Sequence, residues 1–309
     1  MKKFYLSALL ILASCSLIAQ KNANVRKDTT SWFERNVVIG QSLSMINNNT
    51  EIAPAQLQAT FPKKDTASYL VNLGVSVLIN RGNTYQGTLT GEIHRNTMTD
   101  SVQNNFQVGY AFKKVLSPGA GWSHALFGDV QYVYDGVAIT NSLAADLLYT
   151  PIVDQSPFHV NFNANTFLNS AKKTVGLLVV PYAGAQVQEI FAASKDSSKG
   201  FIFRPLFSVS ALLSFNKLLP ENKRATAMAN PIVTLSASYT GRWDAGNSTK
   251  YHEGYTNLFN AALNYYIITA PVKLSVGPSF YVGSDPRQGL KQQQYWLFSL
   301  NVSKLLPAK

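Results

Sequence analysis

The sequence predicts an all-β fold: a closed antiparallel transmembrane β-barrel of about 14 strands, with 12 as the alternative, joined by short loops. Three observations predict it. Across residues 36–305 the hydropathy has a period of two and helical periodicity is almost absent. The alternating segments are long, many reaching ten residues, which suits a tilted bilayer crossing better than the short strands of globular domains. Their polar faces carry Ser, Thr, Asn, Gln and Gly instead of the Lys and Glu that coat a water-facing sheet.

Composition narrows the function classes first. Of 309 residues, 46% are hydrophobic and 14% charged, and 17 Phe, 4 Trp and 15 Tyr supply a large aromatic content. Disordered and coiled-coil classes are excluded by that balance. Lys and Arg exceed Asp and Glu by 11, yet no dense basic run occurs, which argues against a nucleic-acid partner. The one apolar run approaching membrane length is N-terminal, so a bundle of transmembrane helices is excluded too.

Residues 1–20 have the layout of a secretory signal peptide: Lys2 and Lys3, an apolar stretch from Phe4 to Leu12, then a small-residue zone. Its removal leaves 25 basic and 16 acidic side chains, a formal charge of +9. The single cysteine, Cys15, lies within this segment, so the mature domain forms no internal disulfide. Leu12-Ala13-Ser14-Cys15 resembles a bacterial lipobox, which would make Cys15 a lipidation site. The alternative, cleavage near Ala19-Gln20, is favoured, because an embedded barrel gains little from a further anchor. Residues 21–35 read as a polar periplasmic leader, and residues 36–309 as the barrel.

The strands are expected at 36–46, 52–61, 69–80, 84–96, 104–114, 122–134, 137–149, 158–168, 175–190, 201–216, 231–243, 256–268, 272–283 and 293–305. In the third, Tyr69, Val71, Leu73, Val75, Val77 and Ile79 share one face, against Leu70, Asn72, Gly74, Ser76, Leu78 and Asn80 on the other. The fourth sets Leu89 and Ile93 against Thr88, Thr90, Glu92 and His94. Phe106, Val108 and Tyr110 oppose Gln107 and Gly109, and Trp296, Phe298 and Leu300 oppose Ser299 and Asn301. Residues 36–46 and 52–61 alternate least well, hence the alternative of 12. Aromatics near segment ends, such as Tyr85, Trp122, Tyr149 and Trp243, suit interfacial girdles.

The apolar face is assigned to lipid and the polar face to a lumen, and closure follows because backbone groups cannot stay unpaired in hydrocarbon. Counting from the first segment puts Tyr134-Asp135-Gly136-Val137, Thr269-Ala270-Pro271 and residues 217–230 on the periplasmic side. It puts 47–51, 81–83, 115–121, 150–157, 191–200, 244–255 and 284–292 outside, none long enough to fold deep into the bore as a substantial plug. Pro181, Pro205 and Pro278 fall on the lipid-facing parity, where bulges or strand rims are expected.

His94, His124, His159 and His252 are isolated and show no hydrolytic signature. No metal-ligand spacing or phosphate-cradling loop appears, so no cofactor is expected; Asp244-Ala245-Gly246-Asn247 and Asp285-Pro286-Arg287 read as turn chemistry. By parity the lumen receives Glu92, Asp129 and Asp146 on the acidic side and Lys113, Arg204, Arg242 and Lys273 on the basic side, with His94 and His159. Charges of both signs across a pore constrict it and tune ion selectivity.

Signal, alternation and girdles together resemble porin-like integral outer-membrane β-barrels of Gram-negative bacteria, of the Bacteroidota kind. The chain departs from many such proteins in ending Leu305-Leu306-Pro307-Ala308-Lys309 and not on an aromatic residue; Phe298 or Trp296 would have to supply the insertion signal. The resemblance implies a cell outer-membrane location in contact with lipid. The leading functional expectation is a passive pore for small polar solutes, weakly anion-preferring through its basic lumen excess. The alternatives are a non-conducting structural or assembly barrel anchoring a periplasmic or secretion-system partner at residues 217–230, and an outer-membrane lipid hydrolase, the weakest of the three.

Overall fold

The computed structural model describes residues 31–41, 54–60, 68–82, 84–98, 102–116, 122–153, 162, 166–168, 174–218, 231–250, 252–269 and 272–304. Cys15, the signal segment, His159 and residues 219–230 lie outside them. After a short helix α1 (Trp32–Asn36) come β1 (Val37–Gly40), β2 (Ala55–Thr60), β3 (Ser68–Arg81), β4 (Tyr85–Asn96), β5 (Gln103–Leu116), β6 (Trp122–Asp135), β7 (Thr140–Val153) and β8 (Thr166–Phe167). They are followed by β9 (Val175–Ala193), β10 (Gly200–Asn216), β11 (Pro231–Trp243), β12 (Gly246–Asn247), β13 (Tyr255–Ile268), β14 (Lys273–Asp285) and β15 (Leu290–Ser303).

Neighbouring long strands pair antiparallel, and β15 pairs with β2, so the sheet closes into a barrel of twelve staves with three additional short strands. The alternative of 12 is therefore the one observed, and the count of fourteen is corrected at two places. Segments 36–46 and 52–61 occupy a single stave: β1 pairs Val37 to Gly40 with Val77 to Gly74 of β3, and β2 continues down the same edge from Gln56↔Asn72 to Thr60↔Ser68. Between Gly40↔Gly74 and Gln56↔Asn72 the partner of β3 passes from β1 to β2. Among its described residues segment 158–168 makes no stave either. It contributes Phe162, bridged to Val153 and Val179, and β8, bonded to Leu177 and Gly176 at one end of β9.

These two miscounts cancel. The first reverses the placement of every connection up to β7. Strand ends at 81–83, 115–121 and 150–157 lie on the rim that carries α1 and Lys304, and the 134–137 turn lies on the opposite rim. The second restores the count from β9 onward, so 191–200, 244–255 and 284–292 lie opposite the terminal rim, and the strand ends flanking 217–230 and 269–271 lie on it.

The period of two places side chains as read. Leu89, Ile93, Phe106, Val108, Val130, Leu143, Leu147, Val209, Leu235, Leu263, Trp296 and Phe298 point outward and are exposed, forming an apolar belt. Asn72, Ser76, Thr88, Thr90, Gln107, Gln131, Ser236, Asn264, Ser275, Ser279, Ser299 and Asn301 point inward and are buried. The inner wall is not polar all round, however. Ala125, Phe127, Leu148, Leu178, Val180, Tyr182, Leu206 and Leu212 form one apolar cluster on β6, β7, β9 and β10, with the Phe127 and Tyr182 rings edge to face at 5.6 Å. Outside, the Tyr110 ring covers Gly87 so closely that a Cβ there would lie 2.2 Å from its hydroxyl. Pro181, Pro205 and Pro278 do lie on the outward face, yet the ladder runs through each without a register shift, at Pro181↔Val209, Pro205↔Ala185 and Pro278↔Phe298. No bulge occurs there, but along the other edge of each strand the pairing lapses at the proline: β7–β9 ends at Tyr149↔Ala183, β10–β11 at Leu206↔Arg242, and β13–β14 passes from Ala262↔Ser279 to Tyr265↔Val276.

Among the described residues the ring closes on a short seam. β15 meets β2 through Leu300↔Leu57, Asn301↔Gln56 and Val302↔Ala55, and Ile39 and Lys304 exchange backbone bonds of 2.9 and 3.0 Å below it. Just past the seam Lys304, fully buried, donates its ammonium to the carbonyls of Glu34 (3.0 Å) and Val37 and lies 5.0 Å from the Phe33 ring centroid. It fastens α1, whose own start is a capping box between Ser31 and Glu34, to the end of the last stave. Burial pushes the Lys304 amine down to about 8, against the opposing pull of Glu34. Its folded value therefore lies below its unfolded one, and docking strengthens as pH rises from about 8 towards the free-lysine range. We expect trypsin cleavage after exposed Arg35 to stay slow at pH 9 and to accelerate strongly in Lys304→Ala; equal rates would show that Lys304 does not hold α1.

Candidate functional site: the charged bore

Four sets of charges meet inside the barrel near the rim opposite the termini, and strand register sets most of them. β6 and β7 pair Asp129 directly with Asp146, β7 and β9 pair Asp146 with Gln186, and β9 and β10 pair Gln186 with Arg204. One inward row across four adjacent staves thus reads carboxylate, carboxylate, amide, guanidinium. Like charges directly opposed across a ladder repel, so two buried carboxylates at this spacing need a cation between them.

Arg287 supplies it. This residue sits in the 3-10 turn Pro286–Gln288 between β14 and β15, and its guanidinium reaches across the bore, Nη2 to Asp129 Oδ1 and Nη1 to Asp146 Oδ2. The turn is built to aim it: Asp285 accepts from the Arg287 amide at 3.1 Å, and Gly289 closes the turn at a left-handed φ of 67°. Carbonyls of the turn are received by β5, where Gln103 Nε2 donates to Gln288 O at 2.7 Å, and Asn105 Nδ2 and Gln107 Nε2 donate to Arg287 O at 3.2 and 3.1 Å. A short loop thereby reaches across the bore with one side chain.

Two further pairs secure the same rim. Arg242 Nη2 lies 3.1 Å from Asp285 Oδ2. Arg204 Nε lies 2.6 Å from Asp244 Oδ1, and its Nη1 donates to Gln188 Oε1 at 3.0 Å. Asp244 Oδ2 accepts from Asn247 Nδ2 at 3.0 Å and from the Glu253 amide at 3.2 Å, which ties the 244–254 connection down. The fourth set is buried on β4: His94 Nε2 lies 3.1 Å from Glu92 Oε2, and His94 Nδ1 lies 3.3 Å from Asn72 Oδ1.

Six of the residues expected in the lumen are thus buried on the inner wall: Glu92, His94, Asp129, Asp146, Arg204 and Arg242. The structure joins Asp129 to Asp146 through Arg287, and Glu92 to His94. Lys113 and Lys273 are half-buried towards the terminal rim, their ammonium groups 5.5 and 5.9 Å from the ring centroids of Phe127 and Tyr266. His159 is outside the described residues. The residues that sequence reading missed are Arg287, Asp285 and Asp244, all set aside as turn formers. The pairing of Asp129 with Asp146, countable once the 134–140 hairpin is drawn, was the available signal that a cation had to arrive from elsewhere.

His94 has both ring nitrogens taken by Glu92 and Asn72, so neither faces a hydroxyl nucleophile. His124 lies outside the barrel, its Nδ1 2.5 Å from Tyr149 Oη with the rings stacked. Among the described residues no group of three or more His, Cys, Asp or Glu is placed to hold a metal ion, and no helix is long and apolar enough to cross a membrane. No family model matches the chain, and neither does any curated protein. The architecture, a closed antiparallel β-barrel, is consistent with an outer-membrane porin-like protein.

Proposed function

We propose that the protein is an outer-membrane barrel of the porin-like kind, exported by its N-terminal signal, that passes small polar solutes when the loops at one rim move aside. The observation that carries this is the division of faces. An apolar belt exposing Trp296 at 70% and Phe298 at 65% surrounds a wall of hydroxyls and amides. Such a belt calls for acyl chains, and such a wall is matched to water and polar solutes rather than to oil. Pairing of Arg204 with Asp244 and of Arg242 with Asp285 speaks against an anion preference at this rim. Those arginines face aspartates, and at this rim the buried carboxylates of Glu92, Asp129, Asp146, Asp244 and Asp285 outnumber the guanidiniums of Arg204, Arg242 and Arg287.

One observation favours a second reading. Arg287 crosses the bore and is held at both its side chain and its carbonyl, as in a barrel that conducts nothing and serves as an anchor. Planar-bilayer recording of the detergent-refolded protein separates the two. We expect stepwise conductance that is small or intermittent in wild type and larger in Arg287→Gln. Flat traces from both, with heat-modifiable migration proving the barrel folded, would leave the anchor. A mature chain that stayed folded and monomeric in detergent-free buffer would remove the membrane reading altogether.

A further inference from the structure

We propose that the carboxylate pair of Asp129 and Asp146 is the wall of a binding site for small organic cations with several N–H donors, guanidinium above all, and that Arg287 is its built-in competitor. The inference rests on the pore reading and names its solute class.

The site has more acceptors than Arg287 uses. Its guanidinium takes one oxygen from each carboxylate, while Asp129 Oδ2 and Asp146 Oδ1 have no hydrogen-bond partner among the described residues. On the neighbouring staves Gln131 turns its amide nitrogen to Thr90 Oγ1 at 3.4 Å, and Gln107 turns its own to Asn105 Oδ1 at 2.8 Å and to Arg287 O. Both glutamine carbonyl oxygens are thereby left without a partner, on side chains that are 0 and 1% exposed. Buried polar groups are normally satisfied, and these four orphaned acceptors lie on three adjacent strands, with Gln186 Nε2 an orphaned donor on the next.

Two of these four acceptors are anionic, and the donors beside them that lack a hydrogen-bond partner, Arg287 Nε and Nη1, belong to the competing side chain itself. A carboxylate pair calls for a group that brings N–H donors and positive charge, which describes a guanidinium or an alkylammonium and disfavours anions. That a guanidinium already lies between the carboxylates shows that the spacing accepts its planar fork. Arg287 differs from a free ligand only in its tether, a turn whose carbonyls hang on three β5 amides. A cation arriving at the far rim competes with it directly, and its apparent affinity falls by the fraction of time the tether leaves the site.

Reconstituted full-length wild type, Arg287→Gln, and Arg287→Gln combined with Asp129→Asn and Asp146→Asn test this, with guanidinium chloride at millimolar, non-denaturing concentration as the probe. We expect Arg287→Gln to be cation-selective by reversal potential. We expect guanidinium to block its potassium current at least about tenfold more tightly than that of the triple variant, while tetramethylammonium, which has no N–H donor, blocks neither. Equal block of the two variants, or anion selectivity of Arg287→Gln, overturns the site while its conductance leaves the pore intact. If none of the three conducts although all are heat-modifiable, the pore reading fails by itself. Calorimetric titration of guanidinium into detergent-solubilised Arg287→Gln then decides the site, since heat that vanishes in the triple variant supports it and no heat overturns it.

Discussion

Arg287→Ala lowers the stability of the barrel by about 3–5 kcal/mol, the range for removing one partner of a buried ion pair. The effect is read as a fall in the temperature at which the compact, fast-migrating form in detergent gels converts to the slow one. The loss is large because Asp129 and Asp146 stay behind, opposed across one ladder and desolvated, with nothing between them. Adding Asp129→Asn and Asp146→Asn should therefore recover most of the loss, since neutral amides neither repel nor need a counter-ion. A single variant that melts with wild type would mean that water already reaches both acids and that the bridge contributes nothing.

Leu147→Arg, on the opposite face of the same stave as Asp146, costs about 2–4 kcal/mol if the belt lies at the middle of a bilayer. Leu147 points outward, is 53% exposed, and is flanked across the wall by Gly128 and Ala185, so no neighbouring carboxylate receives the new charge. Phe191→Arg is the matched control. It also points outward, close to the end of β9, where an arginine reaches headgroups at a cost of about 0–1 kcal/mol. Folding titrations in lipid vesicles measure both. Equal penalties at the two depths would show that the belt does not sit across a hydrocarbon slab.

The face each side chain takes was legible because a strand has only two faces and the alternation holds over more than one stave in succession. Asn72, Glu92, Gln107 and Asn301 lie inside as the pattern demands, and Ile93, Val108 and Phe298 lie outside. Less legible was where a stave ends. Val37–Gly40 and Ala55–Thr60 look like two strands because hydropathy is local, whereas their union depends on both finding the same edge of β3. Segment 158–168 alternates acceptably, and among its described residues Phe162 and Thr166–Phe167 are the ones that pair with neighbours. The inward apolar patch around Phe127 and Leu178 was hidden for a related reason: on β6 and β9 both parities carry apolar residues, so periodicity cannot choose between them.

The charged site divides along the same line. Glu92, Asp129, Asp146, Arg204 and Arg242 sit on regular strands, and parity found them. Arg287 belongs to a turn, where no periodic rule applies, and its destination on the far wall is fixed by contacts distant in sequence. Aspartate followed by proline and arginine describes a turn equally well whether the arginine points to solvent or into the bore.

The few pairs described at the seam make it the place where we expect the barrel to breathe first. Walls such as β9–β10 and β6–β7 are stitched along their whole length, whereas the first and last staves share a few pairs around Leu57 and Leu300, with Lys304 acting as a rivet beneath them. The two edges are also the most widely separated in the chain, so the entropy of bringing them together is the greatest of any junction. Assembly then reads as a curled sheet that completes its circumference late, and thermal opening reverses the last step first. On this reading the wall beside the N-terminal helix is the zip of the molecule.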